Sequence, residues 1–434
     1  MTAFRAGLTL IVLGVGAAAA PAQQQAAAIR PIGSVEATAV QRFGIIEDLR
    51  VLPGGRVMVN DAERHQVVLL DSALANPVVV ADSTDATARA YGPRPGGLIP
   101  YFADSSLLAD ASALSFIILD PKGQPARVAP VPRPQDIAYL TSPIYGVRFD
   151  GKGNLIYEAR LPSRPVVGQG GDLITATPDS APILRANIAK RTADTVSWVG
   201  LAKSPPPRTV RAADGKSSTL FVTVTPYRPG DDWTLDADGS IAIIRASDYH
   251  VDWVSAAGQR TSTPPVAFPW QHLSADDKAK VMDSVKAVWV NIQRSSDSAA
   301  ACRPKLPGGV SMTRVVYQPV APGDLPDAVP PFYTPTARSD ADDNVWVQEV
   351  LSRQDAGGPV YDVLNRQGEL FDRVRLPANA TIAGFGPGVA YLAIRDSVAS
   401  PPLPPPDPAT GCRPAAIVPA TQPPAVRLVR VRIH

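Results

Sequence analysis

The most regular feature of the chain is a repeated alternation of short apolar runs with Gly- and Asp-rich turns. Four segments follow the same order of strand, tight turn and second strand, and they read LRVLPGGRVMVND (49–61), VRFDGKGNLIYEA (147–159), WTLDADGSIAIIR (233–245) and ARSDADDNVWVQE (337–349). The second strands are rich in β-branched and aromatic residues, as half-buried strands are. The turns supply residues that tolerate a positive φ or hydrogen-bond their own backbone. This pattern predicts recurring β-hairpins.

Two weaker copies of the hairpin, at 102–111 and 383–396, bring the number of units to six. A third strand follows each hairpin, and often a second turn and a fourth strand. Such units are not stable alone, but in a radial arrangement they bury one another's faces. We therefore predict an all-β fold, a six-bladed β-propeller, with a multi-domain β-sandwich protein as the alternative.

The order of strands also predicts how the ring closes. The last unit has its hairpin at 381–395 and a third strand at 425–434. Its fourth, outer strand is expected from the segment near 29–38. Pairing of these two parts of the chain in one blade would lock the ring.

One segment has the helical period instead. Ser274 is a favourable N-cap, and Asp277 lies three residues later, as in a capping box. An apolar stripe follows, formed by Val281, Val285, Val288, Trp289 and Ile292. We predict a helical insertion at about 270–300, between blades four and five. Its polar face carries both signs of charge, which favours packing against the propeller over the alternative of a membrane-surface helix.

The first residues have the pattern of a targeting segment. Arg5 is followed by the apolar stretch 8–20 and by Ala20-Pro21-Ala22, an A-x-A cleavage sequence. We expect a signal peptide at 1–22 and a propeller domain at 23–434. The protein is then exported, either periplasmic or secreted. No other apolar run is long enough to span a membrane.

Export changes what the two cysteines imply. Cys302 and Cys412 are expected to form a disulfide, because export places them in an oxidising compartment. In the predicted topology Cys302 lies in the connection from blade four to blade five. Cys412 lies in a Pro-rich loop at about 396–424 of blade six, on the same face of the ring.

Three segments carry a family resemblance. GRVMVNDAERHQVVLLDSA, AYGPRPGGL and ILDPKGQPARV together resemble the exported bacterial six-bladed β-propellers that are related to NHL-repeat proteins. The resemblance implies a fold and a tendency to bind molecules on one face of the ring. In NHL-type blades the Asp that ends a strand, matched here by Asp61 and Asp110, is an architectural hydrogen-bonding group.

Composition and motifs exclude several classes of function. The chain has 434 residues, 45% of them hydrophobic, and its net charge of +2 gives no reason to expect nucleic acid as a partner. The sequence contains no G-x-S-x-G, H-E-x-x-H or C-x-x-C motif, and it has only four histidines. We therefore assign no catalytic residue and no metal ligand from motifs.

The candidate site is the set of polar residues that end the second strands. The hairpin alignment indicates that these side chains point towards one mouth of the central channel, with His250 nearby. The candidate ligand-binding residues are Asp61, Glu158, Arg160, Arg245, His250, Glu349 and Arg395. Two interpretations stay open: an architectural ring of ion pairs, or a polar pocket for an anionic or sugar-like ligand with the arginines as donors.

The sequence thus favours a monomeric binding module over an enzyme, with an unidentified protein or small molecule as its partner and without a cofactor. The alternative is a metal-dependent hydrolase similar to the gluconolactonase-like propellers. That resemblance implies a divalent ion at the channel mouth, for which Asp61, Glu158 and Glu349 are the available carboxylates. Asn60 or Asn154 would then supply an amide ligand.

Overall fold

The computed structural model describes residues 27–83, 96–141, 146–160, 164–168, 171–213, 217–301, 313–350, 357–396 and 426–433. The predicted signal peptide, Cys302 and Cys412 lie outside these ranges, so the cleavage and the disulfide stay predictions. The described residues form seven sheets and are mostly β-structure. Sheets 1 to 6 are numbered in chain order, and the seventh is called the insertion sheet.

Two strands at the start of the described chain, β1 (Ile29–Pro31) and β2 (Val35–Phe43), join sheets that the end of the chain forms. Sheets 1 and 2 each consist of four consecutive antiparallel strands. Sheet 1 contains β3 (Ile46–Val51), β4 (Val57–Asp61), β5 (Gln66–Leu70) and β6 (Val78–Asp82). Sheet 2 contains β7 (Leu98–Pro100), β8 (Ser106–Asp110), β9 (Ser115–Leu119) and β10 (Pro125–Pro130).

Sheet 3 follows a single helical turn, α1 (Ile137–Leu140), and is interrupted by two strands of the insertion sheet. Sheet 3 contains β11 (Arg148–Phe149), β12 (Asn154–Glu158), β15 (Ser180–Asn187) and β16 (Thr192–Gly200). The insertion sheet contains β13 (Arg164–Val167), β14 (Leu173–Ala176), β17 (Arg208–Arg211), β18 (Ser218–Val224) and β23 (Thr313–Pro319). Its last pair, β18 and β23, is parallel.

Sheets 4 to 6 are formed by the second half of the chain together with β1 and β2. Sheet 4 contains β19 (Asp232–Leu235), β20 (Ile241–Arg245), β21 (His250–Val254) and β22 (Arg260–Ser262). Sheet 5 contains β24 (Arg338–Ser339), β25 (Val345–Gln348), β26 (Val360–Leu364) and β27 (Leu370–Arg375), with β1 parallel to β27. Sheet 6 contains β28 (Ala380–Gly386), β29 (Val389–Arg395), β30 (Val426–Arg432) and β2.

Apolar clusters join each of sheets 1 to 6 to the next, and sheet 6 to sheet 1. In β4, Val57 and Val59 pack with Leu428 of sheet 6, whereas Met58 between them packs with Leu108 of sheet 2. This division follows from the strand period, because successive side chains point to opposite faces. Equivalent clusters join sheets 2 and 3, 3 and 4, 4 and 5, and 5 and 6. The six sheets therefore form a closed ring, the arrangement of a β-propeller.

The ring closes through the predicted segment. β2 pairs antiparallel with β30, from Val35 opposite Val431 to Phe43 opposite Val426, and supplies the fourth strand of sheet 6. The prediction placed this strand at 29–38, whereas β2 begins later. The earlier residues Ile29–Pro31 instead extend sheet 5. The start of the described chain thus pairs with two neighbouring sheets.

The helix α2 (Ala275–Ala301) lies in the chain between β22 and β23. Ser274 and Asp277 form the predicted capping box, since the Asp277 N–H donates to Ser274 Oγ (3.2 Å) and the Ser274 N–H donates to Asp277 Oδ2 (3.1 Å). The helix contacts β23, where the rings of Trp289 and Tyr317 have centroids 4.4 Å apart. It therefore packs on the insertion sheet. In the described part of the chain, no helix is long and apolar enough to cross a membrane.

Candidate functional site

The first strands of sheets 1 to 6 line one common cavity at the centre of the ring. β3 contacts both β28 and β7, β7 contacts β11, and β19 contacts β24. The cavity has a volume of about 460 Å³. Each of the six sheets contributes to its wall, through residues that include Glu47, Leu98, Arg148, Thr234, Arg338 and Ile382. A molecule bound here would contact all six sheets.

Two arginines of the cavity wall form no direct ion pair among the described residues, although both interact electrostatically with the carboxylate of Asp48. Arg148 begins β11 and Arg338 begins β24, and both are half-buried. Arg148 Nη1 donates to the carbonyl of Val147 (2.9 Å), and Arg338 Nη1 donates to the carbonyl of Ala337 (2.8 Å). Within the described ranges, neither guanidinium has an ion pair or another hydrogen bond. Most of their ten N–H groups are therefore available to a ligand.

The two guanidinium groups also act on each other. Burial, and then the positive charge of Arg338, lower the pKa of Arg148 to about 10, while Asp48 and Asp232 offset part of that effect. Arg148 therefore stays protonated at neutral pH. Two like charges within interaction range are costly in a cavity of low dielectric constant. An anion between them would remove this repulsion.

Two acidic residues of the wall, Glu47 and Asp48, belong to β3, and a third, Asp340, follows β24. Asp48 Oδ2 accepts the N–H of Leu98 (3.0 Å), and burial raises the pKa of Asp48. The neighbouring carboxyl of Glu47 has its pKa raised to about 7, first by burial and then by the charge of Asp48. Near neutral pH, Glu47 is therefore divided between its neutral and charged forms. The charge of the cavity depends on pH in the physiological range.

The seven residues predicted from the second strands do not line this cavity. The hairpin alignment predicts that these residues point towards one mouth of the central channel, but the cavity is lined by the first strands. The second strands pair with them on the side away from the cavity, one strand spacing further out. The structure thus separates the predicted residues from the centre of the ring.

Two of the seven are buried at the ends of β4 and β12. The carboxylate of Asp61 accepts the N–H groups of Gly44 (3.1 Å) and Ile45 (3.2 Å), which connect β2 to β3. Glu158 lies 2.7 Å from Arg160, and burial raises the pKa of Glu158 despite this arginine. Asp61 therefore holds a connection between two sheets, and Glu158 and Arg160 hold each other.

Arg245 and His250 share one network of ion pairs in sheet 4. Arg245 contacts Asp231 (2.6 Å) and Asp252 (2.8 Å). His250 Nε2 lies 3.2 Å from Asp252, and its Nδ1 lies 2.7 Å from Asp248. The structure brings these two predicted residues together, but with acidic partners and away from the central cavity.

The remaining two residues lie in separate places. Glu349 contacts Arg373 at 2.6 Å in sheet 5. Arg395 lines a groove of about 610 Å³ between sheets 5 and 6, together with Tyr333 and Asn379. The seven residues therefore do not form one pocket. Six of them have an oppositely charged residue or a backbone N–H as partner.

The sequence does contain a signal for the arginines of the cavity. Arg148 and Arg338 occupy the same position in the hairpin segments VRFDGKGN and ARSDADDN, where each precedes the turn aspartate by two residues. Asp150 and Asp340 accept N–H groups within their own turns. A comparison of first strands, rather than of second strands, would have found this pair.

The ligands proposed for the metal-dependent alternative are dispersed. Asp61, Glu158 and Glu349 end strands of sheets 1, 3 and 5, respectively. Asn60 Nδ2 donates to the carbonyl of Gly96 (2.5 Å), and Asn154 Nδ2 donates to Asp150 (2.6 Å). Across the residues that the structure describes, no group of three or more His, Cys, Asp and Glu side chains could hold a metal ion.

A scan against protein-family models gives no match for this chain, and a search of curated proteins gives none either. Similar solved structures include virginiamycin B lyase from Staphylococcus aureus, at 10% identity over 92% of this chain and 99% of that chain, with a TM-score of 0.38. They also include a gluconolactonase from Xanthomonas campestris, at 8% identity over 94% of this chain and 99% of that chain, with a TM-score of 0.34. A third is the β-propeller domain of Cps50 from Myceliophteria thermophila, at 11% identity over 93% of this chain and 100% of that chain, with a TM-score of 0.37. The sheet order and the apolar clusters of this chain are by themselves sufficient to identify the ring of sheets.

Proposed function

We propose that the protein is a six-bladed β-propeller that binds a small anionic molecule in its central cavity. The observation that carries this proposal is the pair Arg148 and Arg338, two guanidinium groups in one cavity that form no direct ion pair among the described residues. Sheets 1 to 6 would be the blades. In this proposal the protein acts as an exported binding module. The arginines that bind the anion lie on the first strands and not, as the sequence predicted, at the ends of the second strands.

The chemistry of arginine fits this role. A guanidinium presents its donors in a rigid plane that matches carboxylate, phosphate and sulfate groups. Arg148 lies on the first strand of sheet 3 and Arg338 on the first strand of sheet 5. The ring of sheets therefore sets the distance between the two side chains. Partial exclusion of water from the cavity strengthens each charge-assisted hydrogen bond.

The experiment is calorimetric titration of the full protein with sulfate, whose charge does not change between pH 6 and 8. We expect Arg148→Gln and Arg338→Gln each to weaken sulfate binding by about 10-fold to 100-fold, the usual value of a lost charge-assisted hydrogen bond. Arg127→Gln is the matched control, because Arg127 is exposed on the outer strand β10. Equal affinities for the two cavity variants and the control would contradict the proposal.

Protonation of Glu47 should make this binding depend on pH. The pKa of Glu47 is raised to about 7, so the carboxyl is largely neutral at pH 6 and charged at pH 8. A negative charge beside the bound anion repels it, and we expect sulfate to bind about 5-fold to 10-fold more weakly at pH 8 than at pH 6. Asp48, Asp340, Arg148 and Arg338 line the same wall, and the pKa of Arg148, lowered to about 10, leaves it charged over this range.

The control for this pH dependence is again a pair of matched substitutions. Glu47→Gln should bind sulfate almost equally at both pH values, because the neutral amide cannot ionise. Glu369→Gln, at an exposed position in a turn of sheet 5, should keep the wild-type dependence. A wild-type affinity that rises with pH would show that the sign of this argument is wrong.

A further inference from the structure

Three aromatic rings lie beside the central cavity. Tyr101 and Phe102 follow β7, and Phe149 ends β11. The ring centroids are 4.9 Å apart for Tyr101 and Phe102, 5.1 Å for Tyr101 and Phe149, and 5.0 Å for Phe102 and Phe149. This group is called the aromatic cluster below. Edge contacts of this kind are attractive and fix the rings relative to one another.

The aromatic cluster lines a second cavity, also of about 460 Å³, which shares part of its wall with the central one. Pro100, Arg148 and Leu235 line both cavities. A molecule whose anionic group contacts Arg148 would therefore have the aromatic cluster directly beside it. No other residue of the second cavity is an arginine or lysine.

Phe102 is held in place although it is 46% exposed. It begins a short turn in which Ala103 and Asp104 have φ angles of 49° and 58°, unfavourable values for residues other than glycine. Gly153 lies close to the ring of Phe102, since a Cβ added at this glycine would be 3.5 Å from Phe102 Cζ. A single exposed phenylalanine is ordinary, but this one contacts two further aromatic rings and lines a cavity together with Arg148, so its exposed face could contact the ring of a ligand.

The polar groups of the second cavity favour an aromatic ligand over a sugar. Asp150 accepts N–H groups of its own turn, and Asp236 accepts from Ser339 and Arg366. These two carboxylates therefore offer few free acceptors to sugar hydroxyls, and the third carboxylate of this wall, Asp104, is exposed and interacts with the charge of Arg50. Much of the remaining wall is apolar, formed by the aromatic cluster with Pro100, Leu235 and Ala237.

We propose that the ligand of the central cavity is an aromatic anion, with its charged group between Arg148 and Arg338 and its ring against the aromatic cluster. This inference rests on the proposed function, because it needs the anion site. It adds the chemical class of the ligand. The bound ring would face the exposed surface of Phe102, and the two cavities would be the two halves of one site.

The test compares two sulfonates of equal charge, methanesulfonate and 2-naphthalenesulfonate, by calorimetric titration of the full protein. We expect the naphthyl compound to bind about 30-fold to 100-fold more tightly, because its rings bury apolar surface against the aromatic cluster. Phe102→Ala should weaken 2-naphthalenesulfonate by about 10-fold and leave methanesulfonate within about 2-fold. Phe102→Tyr should keep both affinities.

Two further variants make the outcomes distinct. Phe371→Ala removes a phenylalanine of similar exposure (45%) in sheet 5, and it should leave both affinities unchanged. Arg148→Gln should weaken both sulfonates together. Equal affinities of the two sulfonates in the wild type, or tighter binding of glucuronate than of 2-naphthalenesulfonate, would overturn the aromatic ligand while keeping the anion site. Failure of every anion to bind would overturn the proposed function and this inference with it.

Discussion

A chain that lacks Ile29–Phe43 should show no cooperative thermal unfolding transition. β2 is the fourth strand of sheet 6, and Phe43 and Ala39 lie in the apolar cluster between sheets 6 and 1. Without β2, β30 becomes an exposed edge strand and the ring is open at that cluster. The lost burial of Phe43 alone corresponds to about 3–5 kcal/mol, a large fraction of the 5–15 kcal/mol by which a protein is ordinarily stable.

Point substitutions in β2 separate the effect of lost apolar burial from the effect of deleting the strand. Phe43 is completely buried, whereas Val40 in the same strand is 75% exposed. We expect Phe43→Ala to lower the free energy of unfolding by about 3–5 kcal/mol and Val40→Ala to change it by less than about 0.5 kcal/mol. Urea denaturation followed by circular dichroism measures both. A shortened chain that unfolds at the wild-type temperature would show that β2 does not close the ring.

Asp362→Ala should lower the free energy of unfolding by about 3–5 kcal/mol, because it leaves buried polar partners without an acceptor. Asp362 is fully buried, and its Oδ2 accepts the hydroxyl of Tyr249 (2.9 Å) across the boundary between sheets 4 and 5. Its Oδ1 lies 3.4 Å from Arg373, which also contacts Glu349. Burial, and then the charge of Glu349, raise the pKa of Asp362 well above its usual value.

The direction of the pH effect follows from this raised pKa. The folded protein keeps a proton on Asp362 that the unfolded chain releases above a pKa of 3.8. Stability from this group is complete at low pH and falls as the pH rises towards the folded pKa, by up to about 1.4 kcal/mol per pH unit. Asp362→Asn mimics the protonated carboxyl, so it should keep the fold and flatten this slope.

Urea denaturation between pH 4.5 and 8 measures the slope in the wild type, Asp362→Asn and Asp342→Asn. Asp342 is exposed in a turn of the same sheet and serves as the control. The control should keep the wild-type slope. If Asp362→Asn also keeps it, then the buried carboxyl does not hold the proton.

The hairpins were predictable because each is encoded locally. Alternating apolar residues with a Gly or Asp turn predicted β4, β12, β20 and β25, and the structure has strands there. The insertion sheet was not predicted, because its strands come from three separate insertions. The parallel pairing of β18 with β23 joins residues about 95 positions apart, such as Ser218 and Thr313. No local pattern contains that information.

The candidate site was predicted in chemistry but not in position. Within one hairpin, the period of two shows which faces are apolar, but it does not show which strand lies nearer the axis of a ring. Arg148 and Arg338 acquire their role only when six first strands meet around one cavity. The raised pKa of Glu47 likewise depends on burial by neighbouring sheets, which the sequence alone does not express.

The insertion sheet has a mechanical consequence for the ring. Its strands come from the connection inside sheet 3, the connection between sheets 3 and 4, and the connection between sheets 4 and 5. Backbone hydrogen bonds therefore link these three connections to one another. At the boundary between sheets 6 and 1, the described residues form no shared sheet of this kind, and the contacts there include the Val40 N–H with the Leu74 carbonyl (3.3 Å) and the Asp61 carboxylate with the N–H groups of Gly44 and Ile45. The insertion sheet thus reinforces the part of the ring that sheets 3 to 5 form. Slow opening of the ring should begin at the boundary between sheets 6 and 1, where the two ends of the described chain meet.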